Sequence, residues 1–358
     1  MKLRHIILGV GIAAVALFFT FRNVSLREVL DSIFGLHYQY LPLALACFGI
    51  TFVLRAYRWH YFCRSLKRIP TGRLYSPLMI GFMGNLLPAR AGEFIRAYLL
   101  GKRENLSFSA SFGTVVVERI FDIFSILFLF EAILLIDANT ILKGIHGGGG
   151  RLSSFVDSFG AAGLVWATSA LILFLTTACY FMTHHQDRIQ RFMALFTRIF
   201  PIKLRERIHE VFRVFMQGLG ILKDPAGILI SVVLSAMIWG MIVVANYPMY
   251  YCYGIHDQLP ASSLITLIVF TCVALLLPTP GYVGPFQFAI TFVLAHLYGI
   301  EKSTAASFSL VTWFFQMAFI FVVGLFFIIK DNVSFLEISR QAAEQAHHES
   351  TQETAKGP

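Results

Sequence analysis

The stretch 81–122, GFMGNLLPARAGEFIRAYLLGKRENLSFSASFGTVVVERIFD, sets Arg90, Glu93, Arg96, Glu118, Arg119 and Asp122 among apolar neighbours. Charge at membrane depth costs about 2.5 to 3.5 kcal/mol per residue on insertion scales, so such a concentration marks a functional site by default. Three positive and three negative groups balance, which suggests a mutually paired network in a protein-lined or wet cavity. Arg119 and Asp122 stand at i,i+3 on one helix. Glu118 and Asp122, at i,i+4, repel unless a cation lies between them, and Arg90 and Arg96 are the natural donors. The chemistry open to such a set is a lipid-headgroup or proton-coupled site whose pairs exchange, or a static salt-bridge network. Pro88 and Gly92 break the preceding helix, and the amides freed at 91–93 form a helix N-terminus that attracts an anion such as phosphate. Glu93 could instead cap that end, and Asn85 could bond the broken backbone.

The elements that must position these groups are membrane helices. The chain has 358 residues, 57% of them hydrophobic, 14% charged and 36 of them Phe, outside the range of soluble domains. The net charge of +9 falls in short segments between apolar runs, where it orients helices, so nucleic acid is not expected as a partner. Cys47, Cys63, Cys179, Cys252 and Cys272 are scattered and read as buried apolar residues; no metal or cofactor is expected. His184-His185 and His347-His348 have no metal-ligand partners in view.

Apolar runs of spanning length occur at 6–21, 41–62, 112–136, 160–182, 227–253 and 305–329, predicting six transmembrane helices. The first resembles a signal peptide without a cleavage site and reads as a retained span. Two further stretches, about 74–100 and 262–298, are interrupted by Pro88 and Gly92 and by Pro278, Pro280, Gly281 and Gly284, and predict re-entrant hairpins. Leu86-Leu87-Pro88 with Gly92 recurs as Leu276-Leu277-Pro278 with Gly281, each before a Ser-Phe pair, which predicts an inverted repeat. Arg and Lys concentrate at 64–73, 102–103 and 188–223, so the positive-inside rule places both termini in the cytoplasm. A membrane domain over 1–330 is expected, with an amphipathic cytoplasmic loop at about 184–225 and a polar tail at 331–358. Arg55 and Arg58, near the inner end of the second span, are expected to snorkel to the interface. The second hairpin carries almost no charge, only Gln287 near its break, and reads as a mobile, largely apolar partner.

At Asn85, Pro88, Arg90, Gly92, Glu93 and Arg96, at Glu118, Arg119 and Asp122, and at Pro280, Gly281 and Gly284, the chain resembles the membrane part of the lysylphosphatidylglycerol synthase family, also called flippase-like or YbhN/AglD-like. The resemblance implies a polytopic protein of a bacterial cytoplasmic (inner) membrane that moves lipids between leaflets, in some members fused to an aminoacyl-transferase domain. That transferase is not expected here. Relatives often carry Glu where this chain has Gln287, and Arg in a last span that here reads Trp313-Phe314-Phe315-Gln316.

The expected function is translocation of an anionic phospholipid or a polyprenyl-phosphate-linked lipid, without catalysis. A membrane-embedded transferase or phosphatase acting on lipid phosphates is the first alternative, and a non-catalytic partner of an envelope-lipid synthase the second.

Overall fold

Long apolar runs joined by short polar connections fold into helices, and among the described residues there is no strand. The computed structural model describes residues 3–22, 24–86, 91–148, 151–185, 188, 197, 216–217, 220–277 and 279–334. Pro88, Arg90, Pro278, most of the predicted loop at 184–225 and all of 335–358 lie outside the described residues.

In chain order the helices are α1 (Leu3–Phe21), α2 (Leu26–Phe34), α3 (Leu41–Cys63), α4 (Thr71–Gly84), α5 (Gly92–Glu104), α6 (Phe108–Ile136), α7 (Ala138–Gly148) and α8 (Arg151–His184). Then follow α9 (Pro225–Ala245), α10 (Tyr247–Cys252), α11 (Ser262–Ala274), α12 (Pro285–Thr291) and α13 (Lys302–Lys330). Local signals set several ends. Asn105 adopts a left-handed φ of 56° after α5, and the Ser107 hydroxyl accepts the Ala110 amide to start α6. Asp224 accepts the Ala226 amide ahead of Pro225 at the start of α9.

Tyr38–Cys63, Phe159–Phe181, Pro225–Cys252 and Lys302–Lys330 are long and apolar enough to cross a membrane. A fifth span results if Leu8–Phe21 and Leu26–Phe34, bent by 80°, count as one. The protein is thus an all-helical, multi-pass membrane protein. The count falls short of the six runs expected because Glu118, Arg119, Asp122 and Glu131 dilute the apolar character of α6. Its 29 residues still extend about 44 Å, more than a bilayer core needs.

The two interrupted stretches each fold back on themselves. Helices α4 and α5 pack together at glycines: a Cβ on Gly92 would fall 1.9 Å from the Gly81 carbonyl oxygen, and one on Gly84 would fall 2.9 Å from the Gly92 Cα. Only small residues permit helix backbones to approach so closely. At the second break Gly284 has φ 92°, and a Cβ there would meet the Ala13 carbonyl oxygen at 2.7 Å, so α1 lies directly on this turn. The breaks are neighbours, since a Cβ on Gly281 would stand 3.9 Å from the Leu86 carbonyl oxygen.

Packing between the halves follows an exchange pattern. Helix α4 packs on α13 and α11 packs on α6, so each hairpin leans on the long helix that follows the other one in the chain, while α3 packs on α9. One apolar core, with Trp59, Phe62, Leu74, Leu78, Leu100 and Val117, surrounds the first hairpin. A larger one, with Tyr250, Leu267, Phe286, Val293 and Phe308, surrounds the second.

The end of α13 is tethered to the first hairpin. The Asp331 carboxylate accepts hydrogen bonds from the Ser76 hydroxyl and from Arg103 Nη2 at 2.5 Å, and Arg103 also donates to Ser76 at 3.1 Å. Beside it Glu104 pairs with Lys67 at 2.8 Å and Arg73 at 3.1 Å. Partial burial alone would raise the Asp331 carboxyl, but Ser76 and Arg103 hold it below its ordinary value of 3.8.

A depressed folded-state value contributes stability above the ordinary aspartate range and loses it as pH falls through the folded value. Asp331→Asn is therefore expected to lower the melting midpoint at neutral pH, with the deficit shrinking below about pH 4; a deficit independent of pH, followed by differential scanning fluorimetry, would contradict this. Gly92→Ala must push α4 and α5 apart and is expected to cost about 1 to 3 kcal/mol or more, read as a lower melting midpoint in detergent.

Candidate functional site

Seven charged side chains from three helices converge. Helix α3 contributes Arg55 and Arg58, one turn apart; α5 contributes Glu93 and Arg96; α6 contributes Glu118, Arg119 and Asp122. Arg58 Nη2 lies 2.8 Å from Asp122 Oδ1 and 3.7 Å from Glu118 Oε1. Arg55 Nη1 lies 3.4 Å from Asp122 Oδ2 and 3.7 Å from Glu118 Oε1. Arg119 Nη2 lies 2.7 Å from Glu118 Oε1 and 3.3 Å from Asp122 Oδ2, while its Nε stands 3.5 Å from Glu93 Oε1. Arg96 Nη2 donates to Glu118 Oε2.

Neutral groups seat these ions. The Arg96 guanidinium lies 4.0 Å over the Trp59 ring, whose N–H donates to Thr114 at 3.0 Å. Arg58 Nη1 donates to Ser235 of α9 at 2.7 Å, and that serine hydroxyl in turn donates to the Ser231 carbonyl. Glu118, Arg58 and Arg96 are buried. Arg119 and Glu93, with 38% of each side chain exposed, form an open rim over this sealed base. Arg55, Arg58, Arg96 and Arg119 against Glu93, Glu118 and Asp122 leave the described cluster one positive charge in excess.

This corrects two expectations. Arg55 and Arg58 do not snorkel to an interface, because their guanidinium groups turn inward to Asp122 and Glu118. The described cluster is also not neutral, since those two arginines join it. The available signal is the Arg-x-x-Arg spacing, which puts both α3 arginines on one face. Among the described residues the Gly92 amide donates to Asn85 Oδ1 at 3.1 Å. The second break is neutral: Gln287 is buried and its Oε1 accepts the Gly284 amide at 2.8 Å. The Trp313 indole N–H donates to the Gly281 carbonyl at 2.8 Å. Tyr282, at φ 62°, lies within electrostatic reach of Arg119.

Beside the cluster is a cavity of about 220 Å³ between α3, α4, α9, α11, the second break and α13. Arg55 forms one wall and is the single charged residue among those lining it. The rest are aromatic and aliphatic, with Thr51, Asn246, Thr271 and Gln316 interspersed.

Comparison with known proteins places this geometry in context. The chain is 24% identical to glycosyltransferase AglD of Haloferax volcanii over 95% of its own length, and spans 56% of the length of that relative. It is 23% identical to a UPF0104 membrane protein of Methanothermobacter thermautotrophicus, over 84% of this chain and 88% of the relative. A UPF0104 membrane protein of Pyrococcus horikoshii is 22% identical over 84% of this chain and 89% of its own length. All three relatives are archaeal, and no solved structure matches the chain. Residues 6–324 match the family described as the lysylphosphatidylglycerol synthase TM region, and the protein, with its buried arginine–carboxylate cluster and paired helix breaks, belongs to that family.

Proposed function

We propose that the protein translocates an anionic lipid, a phospholipid or a polyprenyl-phosphate-linked lipid, between the leaflets of a cytoplasmic membrane, with both termini in the cytoplasm. The observation that carries this reading is the cluster itself. A buried, net-positive set of guanidinium groups with a half-exposed rim at Arg119 and Glu93 offers an anionic headgroup a partner where hydrocarbon offers none. In this reading α1, α3, α6, α8, α9–α10 and α13 cross the membrane, and α4–α5 and α11–α12 are re-entrant. Support comes from length, because α4, α5 and α11, with 14, 13 and 13 residues, reach about 20 Å each, short of a bilayer core of about 30 Å. The exchange of packing partners between the halves supports an inverted repeat. Membrane lipids are the proposed partners, and an envelope-lipid synthase is a further one.

A second reading is favoured by one observation, the name glycosyltransferase carried by the archaeal AglD relative. On that reading the cluster would hold a lipid phosphate during group transfer. Incubating purified protein with labelled lipid separates the two, because transfer changes the lipid chemically and translocation does not.

Rim and base are expected to respond differently to substitution. Arg119→Ala should abolish lipid flipping in proteoliposomes, at least tenfold in rate, while folded protein still accumulates; flipping at the wild-type rate would sink the site assignment. Arg58→Ala leaves buried Asp122 short of a partner and should cost about 3 to 5 kcal/mol, seen as lost accumulation or a collapsed melting transition.

A further inference from the structure

The 220 Å³ cavity has a chemical asymmetry that bears on headgroup choice. Arg55 enters it from α3, largely buried, held by contacts of 3.4 and 3.7 Å to Asp122 and Glu118 and without a bond as short as the 2.8 Å one that Arg58 makes. Trp239 of α9 also lines the cavity, and its indole N–H, on a residue only 7% exposed, has no hydrogen-bond partner among the described residues. A buried donor left without an acceptor costs free energy. The remaining polar groups on the wall, Thr51, Asn246, Thr271, Tyr282 and Gln316, are neutral, and no carboxylate is among the described residues lining it. An ammonium group would therefore meet Arg55 and no counter-charge, whereas an oxyanion would meet a cation and a free N–H donor within apolar walls.

Resting on the lipid-translocation reading, we propose that this cavity holds the phosphoryl head of a lipid with net negative charge and no ammonium group, bound between Arg55 and the Trp239 N–H. The Asp122 and Glu118 carboxylates lie behind Arg55, so an arriving phosphoryl oxygen takes over contacts of 3.4 and 3.7 Å and leaves the 2.8 Å bond between Arg58 and Asp122 in place. Aminoacylated and zwitterionic lipids are discriminated against because the wall repels or fails to pair their ammonium.

The test measures binding by calorimetry to the full chain in detergent, with dioctanoyl phosphatidylglycerol, dioctanoyl phosphatidylcholine, dioctanoyl lysylphosphatidylglycerol and inorganic phosphate as probes. Phosphatidylglycerol should bind at least tenfold more tightly than the two ammonium-bearing lipids. Trp239→Phe, which removes the N–H donor together with the pyrrole ring of the indole, should weaken it about tenfold, and Arg55→Gln by more. Equal binding of the three lipids, or wild-type binding by Trp239→Phe, would overturn the assignment even if Arg55→Gln fails to fold. Displacement by inorganic phosphate at equal concentration would overturn the lipid as source of the phosphoryl group. Flipping is measured separately in proteoliposomes: selective binding without flipping removes the translocation reading and keeps the cavity assignment, and flipping without selective binding removes the cavity assignment alone.

Discussion

Glu118 is the group on which the architecture turns. It is fully buried in α6 and is contacted by guanidinium groups from α3, α5 and its own helix. A carboxylate removed from water loses several kcal/mol of solvation, and only close, hydrogen-bonded cations offset that loss. Those cations cannot come from one element. Arg96 reaches Glu118 only because the chain breaks after α4 and returns as α5, and Arg58 reaches it only because α3 is clamped to α9 through Ser235. Placement of three helices is thus fixed by one acid's need for partners.

The break that delivers Arg96 has a counterpart without charge. In both, a side-chain amide oxygen accepts the backbone N–H freed where the helix resumes, Asn85 for Gly92 and Gln287 for Gly284. Equivalent backbone chemistry thus supports ions in one half and only neutral groups in the other. Helix α13 ties the halves together, bonding the second break through Trp313 and the first hairpin through Asp331, and its Lys302 reaches the Arg22 carbonyl at 2.5 Å. A displacement of α13 would be felt at both breaks at once.

How much of this was legible in the sequence depends on whether the determining contacts are local. Glu118, Arg119 and Asp122 could be placed together because helical spacing alone puts them on neighbouring faces, and the breaks at Gly92 and Gly281 were marked by the residues that make them. Arg55 and Arg58 were misjudged because a position near a helix end gives depth but not direction, and direction here is set by partners 64 and 67 residues away. The lodging of α1 against Gly284 left no trace in either segment, since an alanine-glycine face in an apolar helix looks the same against lipid as against protein.

Family membership covers the membrane region and leaves the reaction open, because the AglD relative extends well beyond the part this chain matches. On the proposed reading, the geometry of the cluster in this chain sets an order of release. Arg58 and Arg96 are sealed, closely bonded and braced by Ser235 and Trp59, so detaching either strands a buried carboxylate. Arg119 is partly exposed at the rim and Arg55 holds its acids at longer range, so on that reading these two exchange a carboxylate for an incoming oxyanion at lower cost. The exchangeable cations face the rim and the cavity, and the fixed ones face the protein, which is the arrangement a site needs if it is to bind an anion without dismantling the fold around it.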